Sequence, residues 1–315
     1  MTGISKQQAT RLRVDIGICT YRRAELDETL RSVAGLKAPA GVTVKVIVAD
    51  NDVAPSARQR VERALADVPF EIVYVHCPAS NISIARNACL DNGDGDFLAF
   101  IDDDATCSAK WLAELLDTAE ETRADAVLGP VRALYSEAAP AWMKQGDFHS
   151  TRPVFVGSEI RTGYTGNVLL RRAAKAIAGR RFNLSLGKTG GEDTEYFSQL
   201  HEAGGRIAFA PEAWVFEPVA DDRARFSWLT KRRFRVGQTH GRLLASKVSG
   251  LAAAREFCLA AGKTSYCLAL AALTAFWPSH RNRHLLRGVM HAGAVSGLAG
   301  MREIQLYGQL GSTTR

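Results

Sequence analysis

The 315-residue chain has no CxxC pair among its six cysteines, Cys19, Cys77, Cys89, Cys107, Cys258 and Cys267, several of which sit in apolar runs. That spacing excludes a disulfide framework and a cysteine zinc site, and reads as buried, reduced thiols of a cytosolic protein. No internal repeat or low-complexity segment occurs, so solenoid and linker architectures are set aside. The nearly charge-free stretch from Ser265 to Trp277 is short for a membrane span, which needs ~20 apolar residues. The first residues, Met1 to Arg13, are polar and basic with no apolar core, so no signal peptide is expected and the chain is expected to stay in the cytoplasm. With 46% hydrophobic and 23% charged residues, wholesale disorder is excluded. What is in excess is positive charge: the net charge is +7 and the pI about 9.2. That favours an anionic partner, whether a nucleotide, a nucleic acid or an acidic membrane face.

The first half alternates short apolar runs with amphipathic stretches. Strands are predicted at Val14–Cys19, Val44–Ala49, Phe70–His76, Phe97–Ile101 and Ala126–Gly129. Helices are predicted at Glu25–Leu36, Pro55–Asp67, Ile84–Leu90 and Ala109–Thr122. This alternation predicts an α/β domain, a Rossmann-like and mostly parallel sheet with helices on both faces, whose ligands bind at the carboxyl ends of the strands. Tyr135 to Gly163 is irregular and reads as a long loop able to cover a site. Later strands are predicted at Thr165–Leu170, Arg206–Ala210 and Ala213–Phe216, with a helix at Glu192–Ala203 ending on Gly204-Gly205. Residues 1–242 form the expected catalytic domain. The alanine- and leucine-rich 243–315 form a C-terminal helical segment.

Polar residues cluster where strands end. Asp102-Asp103-Asp104 follows the apolar run Phe97–Ile101. Strand alternation would put Asp102 and Asp104 on one face, where a divalent cation bridging to phosphate would offset their repulsion; a solvated acidic turn or a helix cap is the plainer reading. Asp50-Asn51-Asp52 ends another strand, as an Asx turn or as an acceptor for a base or ribose. Arg86, in the helix opening near Asn81, could reach a phosphate at that N-terminus. Gly190-Gly191-Glu192-Asp193 opens a helix whose dipole keeps Asp193 ionised and able to accept a proton. Between Arg223 and Arg242 lie seven Lys or Arg, a phosphate- or lipid-facing cluster or a solvated helix face.

In this order the segments resemble glycosyltransferase family 2, the inverting enzymes of GT-A fold. Ile18-Cys19-Thr20-Tyr21-Arg22-Arg23 is similar to the family's first strand-to-loop segment, and Val48-Ala49-Asp50-Asn51-Asp52 to its second. Asn81 to Asn87 is similar to its arginine-asparagine element and Phe100 to Asp104 to its DxD motif. Thr165-Gly166-Asn167 is similar to its acceptor-side strand and Gly191-Glu192-Asp193 to its base motif. The basic element with Gly237 and Gln238 resembles its late arginine-rich segment. The resemblance spans Val14 to Arg242 and lies nearest the exopolysaccharide enzymes of the succinoglycan type. One departure stands out: Asp50-Asn51-Asp52 is followed by valine, without the usual Gly-Ser step.

The resemblance implies a metal-dependent transfer from a nucleoside diphosphate sugar, a UDP-sugar, to a hydroxyl of a glycan or lipid-linked acceptor, in bacterial surface polysaccharide synthesis at the cytoplasmic face of the inner membrane. It implies donor contacts from Thr20, Tyr21, Arg23, Asp50, Arg86, Asp102, Asp103, Arg232 and Arg235. Asp104 and His240 would hold Mn²⁺ or Mg²⁺, Asp193 would act as base, and Asn167 and Glu192 would place the acceptor. Three other classes compete. A nucleotidyltransferase lacks its glycine-rich loop here, since Thr20 to Arg23 contains no glycine. A nucleic-acid binder leaves the carboxylates unexplained, so no nucleic-acid partner is expected. A non-catalytic glycan- or lipid-binding descendant of the fold predicts binding without turnover. The C-terminal helices are read as a membrane-surface element, with core packing or a homodimer interface as the other readings.

Overall fold

The computed structural model describes residues 12–65 and 68–301, which form two compact units. Of these, the first draws on the residues up to Val131, Arg152–Leu184 and Tyr196–Glu217, the second on Arg132–Thr151, Ser185–Glu195 and the residues from Pro218 onward. This division does not fall at residue 242, which lies in the last turn of a helix.

The elements run β1 (Leu12–Thr20), α1 (Leu26–Ala34), β2 (Val42–Asp50), α2 (Arg58–Ala64), β3 (Glu71–His76), α3 (Ile82–Asn92), β4 (Phe97–Ile101), β5 (Thr106–Cys107), α4 (Trp111–Thr122) and β6 (Ala126–Leu128). They continue with β7 (Val131–Tyr135), α5 (Ala141–Gly146), β8 (Phe155–Val156), β9 (Glu159–Ile160), β10 (Asn167–Arg171), α6 (Glu192–Glu202), β11 (Ile207–Phe209) and β12 (Val215–Val219). Three helices close the chain: α7 (Phe226–Ala245), α8 (Gly250–Leu273) and α9 (Pro278–Leu298). The stretch expected as a loop from Tyr135 to Gly163 thus contains α5 and the short β8–β9 hairpin. The helix expected over Pro55–Asp67 shortens to Arg58–Ala64, and its predicted end, Ala66-Asp67, lies outside the described residues.

The first unit is built on a seven-stranded sheet of order β11-β6-β10-β4-β1-β2-β3. All its strands run parallel except β10, which pairs antiparallel with both β4 and β6. Alternation along each strand sends side chains to two apolar layers. Val46 and Val48 of β2 join Ile16 and Ile18 of β1 and Leu26, Leu30 and Val33 of α1 in one layer, which α4 completes through Trp111, Leu112 and Leu115. Ile47 and Ala49 point the other way, to Ala85 and Cys89 of α3 and to Phe197 and Leu200 of α6. Helices on both faces of a mostly parallel sheet are what the βαβ alternation requires.

In the second unit α9 packs on α5, α7 and α8. The α7–α9 crossing is made by glycines at four-residue spacing on both helices, Gly237 and Gly241 facing Gly293 and Gly297. A methyl group on any of the four would collide with a backbone carbonyl of the facing helix. Such close backbone approach needs residues without a side chain. A smaller core of Met143, Phe148, Leu229 and Leu286 fills the space beside it.

Candidate active site

The carboxyl ends of β1, β2 and β4 and the start of α3 are bound to one another by short polar contacts in the first unit. Asn51 donates its backbone N–H to the Thr20 carbonyl (2.9 Å). The buried Asp50 carboxylate accepts from the Asp52 N–H (3.1 Å), the Ala57 N–H (2.8 Å) and the Tyr74 hydroxyl (2.8 Å). Asp50 therefore shapes the turn between β2 and α2. Arg22, held at a positive φ of 54°, donates from Nε to Asp52 (2.9 Å) and lies 5.2 Å over the Tyr21 ring. The Arg22 guanidinium beside Asp52 holds that carboxyl below its ordinary range.

The three aspartates sit in the turn after β4, closed by an Ala105 N–H to Asp102 carbonyl bond (3.3 Å). Strand alternation, expected to place them, ends at Ile101. Asp103 is the innermost. It accepts from the Tyr21 N–H (3.3 Å), and its carboxyl is pushed up to about 7, by burial first and then by the neighbouring Asp104 and Asp102, against the pull of Thr20 and Arg23. Arg23 spans the turn, its guanidinium 3.4 Å from Asp104 and 3.9 Å from Asp103. Asp102 lies against the backbone of Gly166, where a methyl group would come within 2.6 Å of its Oδ2. The segment leading into β10 is thereby set beside the aspartate turn. Next to it, the buried Thr165 hydroxyl has no hydrogen-bond partner among the described residues.

Arg86 and Asp102 act with opposite sign on the Cys19 thiol, whose pKa is raised first by its contact with Cys89 and then by burial. Both charges therefore converge on the end of β1, and Arg86 also lies 5.5 Å over the Phe182 ring. Asn81 caps α3, its side chain accepting from the Ser83 N–H (3.1 Å) and the Ile84 N–H (3.4 Å). Asn81, Ser83 and Asn87 donate in turn to the carbonyls of Leu184, Asn183 and Phe182 at 2.9, 2.8 and 2.9 Å, lacing α3 to that segment. A cavity of about 210 Å³ opens between Arg22, Arg23, Ala24, Ser56, Ala57 and Arg60. Three arginines line it, each paired with a carboxylate: Arg22 with Asp52, Arg23 with Asp104 and Arg60 with Asp27.

A scan of protein families matches the model "Glycosyl transferase family 2" over residues 15–177. The succinoglycan biosynthesis protein ExoM of Rhizobium meliloti is 60% identical over 94% of this chain and 96% of its own. The chain belongs to glycosyltransferase family 2. A glucosyl-dolichyl phosphate glucuronosyltransferase of Haloferax volcanii is 27% identical over 72% of the chain and 75% of its own. Among solved structures, the mannosyltransferase PcManGT of Pyrobaculum calidifontis, in complex with GDP-Man and Mn²⁺, superposes with a TM-score of 0.63 at 18% identity, covering 93% of this chain and 89% of that one. S. aureus TarS 1-349 in complex with UDP-GlcNAc gives 0.52 at 14% identity, covering 92% and 93%. The fold is the GT-A fold and the chain is a glycosyltransferase.

The aspartate turn of this family 2 glycosyltransferase has the chemistry of a cation site. Negative charge gathers on a partly buried turn, and the cation already opposing it is a side chain, Arg23. Among the described residues no three His, Cys, Asp or Glu side chains converge as a complete ligand set. A cation there would therefore take carboxylate oxygens from Asp102 or Asp104 and complete its shell with diphosphate oxygens and water, as Mg²⁺ and Mn²⁺ do.

In the second unit, Gly190 and Gly191 take positive φ values of +87° and +93° and are packed by Arg235 and Thr239 of α7. Arg235 donates to the Thr189 carbonyl (3.1 Å). The space that a side chain would take at these glycines is thus filled by α7 side chains. The glycines deliver Glu192, which is buried, and Asp193, which accepts from the Thr194 N–H (2.7 Å), at the start of α6. Arg232 lies 5.2 Å over the Trp228 ring, whose plane stacks on His149. His240 is pushed below its ordinary pKa by burial and then by Lys263, with Lys247 adding and Glu256 opposing.

Asn167, expected to place the acceptor, is the first residue of β10. It is fully buried, and its amide accepts from Trp111 Nε1 (2.7 Å) and donates to the carbonyls of Pro130 (2.9 Å) and Ala213 (2.7 Å). Both amide N–H groups are spent on backbone carbonyls, and through them Asn167 braces the sheet. Arg22 and Arg60 were not singled out from sequence. The only signal for Arg22 was its place beside Tyr21, and Arg60 looks like any surface arginine of a short helix.

Proposed function

We propose that this glycosyltransferase transfers a sugar from a UDP-sugar to a hydroxyl of a glycan or lipid-linked acceptor, with inversion, using Mn²⁺ or Mg²⁺, in the synthesis of a bacterial surface polysaccharide at the cytoplasmic face of the inner membrane. The observation that carries the reading is the turn Asp102-Asp103-Asp104, set against Tyr21, Arg23 and Gly166 beside an arginine-lined cavity. The pathway follows the succinoglycan biosynthesis of the R. meliloti relative, and the donor class follows the UDP-GlcNAc and GDP-Man of the structural neighbours.

In this reading Thr20 and Tyr21 hold the nucleoside in a pocket that Asp50 shapes. Arg86 and Arg23 meet the diphosphate, with Arg232 and Arg235 as further cations for it. Asp102 and Asp104 hold the divalent cation, which when bound offsets the charge that builds on the departing diphosphate. Asp103 keeps the turn attached to the Tyr21 backbone. Asp193 takes the proton from the acceptor hydroxyl, whose oxygen then attacks the anomeric carbon from the face opposite the diphosphate. Glu192 orients the acceptor. No enzyme nucleophile is required for a single displacement.

The test is UDP release by the purified protein from a panel of UDP-sugars, with and without Mn²⁺, in the presence of a bacterial lipid extract. Metal-dependent release that Asp104→Ala abolishes is expected. Asp193→Asn should lose transfer while keeping UDP affinity within about threefold, because a base acts on the acceptor side. Equal loss of UDP binding in Asp193→Asn would make Asp193 a structural residue. Release of diphosphate instead of UDP would replace the reading with nucleotidyl transfer.

A further inference from the structure

The second unit contains a helix that is apolar on the wrong side. α8 buries small residues, Ala260, Cys267 and Ala271. Its opposite face carries the large ones: Leu251 is 87% exposed, Tyr266 64% and Leu273 75%, and the corner that follows adds Phe276 at 91% and Trp277 at 61%. At 100° per residue, Leu251, Leu259, Tyr266 and Leu273 fall on one outward stripe with Arg255 as its single charge. A helix apolar all round is normally covered on every side, and a contiguous exposed apolar strip of this length marks an interaction surface.

Charge decides what covers it. Between Arg223 and Met301 the sequence has 13 Lys or Arg and one acidic residue, Glu256. The whole chain carries only +7, so the positive excess is concentrated in this unit. Immediately after Phe276-Trp277 come His280, Arg281, Arg283, His284 and Arg287 on the first turns of α9. A second copy docking by this face would bring the same cations against themselves. An anionic lipid surface satisfies both features, taking the apolar stripe into its acyl boundary and the arginines among its phosphates. Tryptophan beside arginine is the side-chain pairing of the membrane–water boundary. Among the described residues no helix is long and apolar enough to cross a membrane, so the geometry is that of a helix lying on the surface.

We infer that the outward face of α8, with the Phe276-Trp277 corner and the cations that open α9, docks the protein onto an anionic lipid monolayer. The inference gives a physical basis to the membrane location proposed above and does not depend on the donor, the metal or the reaction. Co-sedimentation of the full chain with phosphatidylglycerol–phosphatidylcholine vesicles tests it, against pure phosphatidylcholine vesicles. Binding is expected to the anionic vesicles only and to weaken with salt. Arg281→Gln with Arg283→Gln should lower the partition coefficient about fivefold for each charge removed. Phe276→Ser with Trp277→Ser should lower it at least about tenfold, with UDP affinity by calorimetry unchanged, since both side chains are exposed and outside the donor machinery.

No binding of the wild type to anionic vesicles, or binding that Phe276→Ser/Trp277→Ser leaves intact, overturns the inference. So does a dimer in light scattering that the same double variant converts to monomer without any vesicle binding, which would assign the face to a second copy. Failure of UDP release in the assay above, with vesicle binding intact, would sink the catalytic reading and leave this one standing.

Discussion

The α7–α9 crossing gives a sharp quantitative test. A methyl group placed on Gly241 would run into the Ala294 carbonyl and lie 2.9 Å from the Ala294 carbonyl carbon and the Leu298 nitrogen. On Gly293 it would meet the Phe234 carbonyl and lie 3.1 Å from the Gln238 nitrogen. The obstacles are backbone atoms of helices of 20 and 21 residues, so no rotamer change relieves them, and the axes must separate by roughly 1 Å. Overpacking of this kind costs about 1–3 kcal/mol. Replacing a helical glycine by alanine contributes about 1 kcal/mol in the other direction through backbone entropy. With rigid obstacles on both helices the upper part of the strain range applies. Gly241→Ala should therefore destabilise by about 1–2 kcal/mol, and Gly241→Ala with Gly293→Ala by more than either alone. The control is Gly262→Ala on the outward face of α8, where a methyl group would meet nothing within 4 Å; it should stabilise by about 0.5–1 kcal/mol. Urea unfolding followed by far-ultraviolet circular dichroism reads both. A Gly241→Ala protein as stable as wild type, or stabilised like Gly262→Ala, would show that the helices do not cross through their backbones, and the reasoning would fail.

Asn167→Ala removes the partner of a buried indole N–H and of two carbonyls, and should lower stability by about 3 kcal/mol in the same urea assay; a loss below 1 kcal/mol would mean water replaces the amide. Asn81→Ala removes the α3 cap and the tie to Leu184, costing about 1–2 kcal/mol, and should raise the Kd for UDP because α3 carries Arg86; calorimetry reads the second effect. His149, stacked on Trp228 and held between the Tyr135 hydroxyl (3.1 Å) and the Arg223 carbonyl (3.2 Å), has its pKa lowered to about 4, by burial first. The folded state therefore binds fewer protons than the unfolded one between pH 4 and 6.5. Stability should be complete above pH 6.5 and fall by about 1–2 kcal/mol as the pH drops towards 4, after allowance for solvent screening. His149→Gln should flatten that slope, and an unchanged slope would place the titration elsewhere.

The sheet was legible because its signal is local. Val42 to Asp50 is a β-branched run buried on both faces, and Leu26, Leu30 and Val33 repeat at helical spacing, so strand and helix follow from periodicity alone. The one antiparallel strand was not legible, since β10 has the same apolar run as its parallel neighbours and only its register against Ile101 and Leu128 reveals direction. Pro55 to Asp67 was read as starting too early because Pro55 precedes the helix, which begins at Arg58 after the turn that Asp50 holds. The glycines at 237, 241, 293 and 297 belong to one packing surface separated by more than 50 residues of chain, and no window covers both halves.

Site residues divide along a similar line. Motif order pointed to the ends of β1, β2 and β4, which the structure brings together, but not to which atom of each motif would face a ligand. Asp50, Asn51, Asn81, Asn87 and Asn167 are polar residues in those motifs, and each uses its side chain to tie one turn or helix to another. Two arginines outside the expected set, Arg22 and Arg60, line the cavity instead. The distinction is one of satisfied capacity. A buried amide with both N–H groups bonded is a brace whatever its motif suggests, whereas a carboxylate pushed up to about 7 by burial and then by its acidic neighbours, as Asp103 is, is part of a cluster that still gains from another positive charge. By that criterion the aspartate turn, and not the asparagines, is where the proposed donor and cation would have most to contribute.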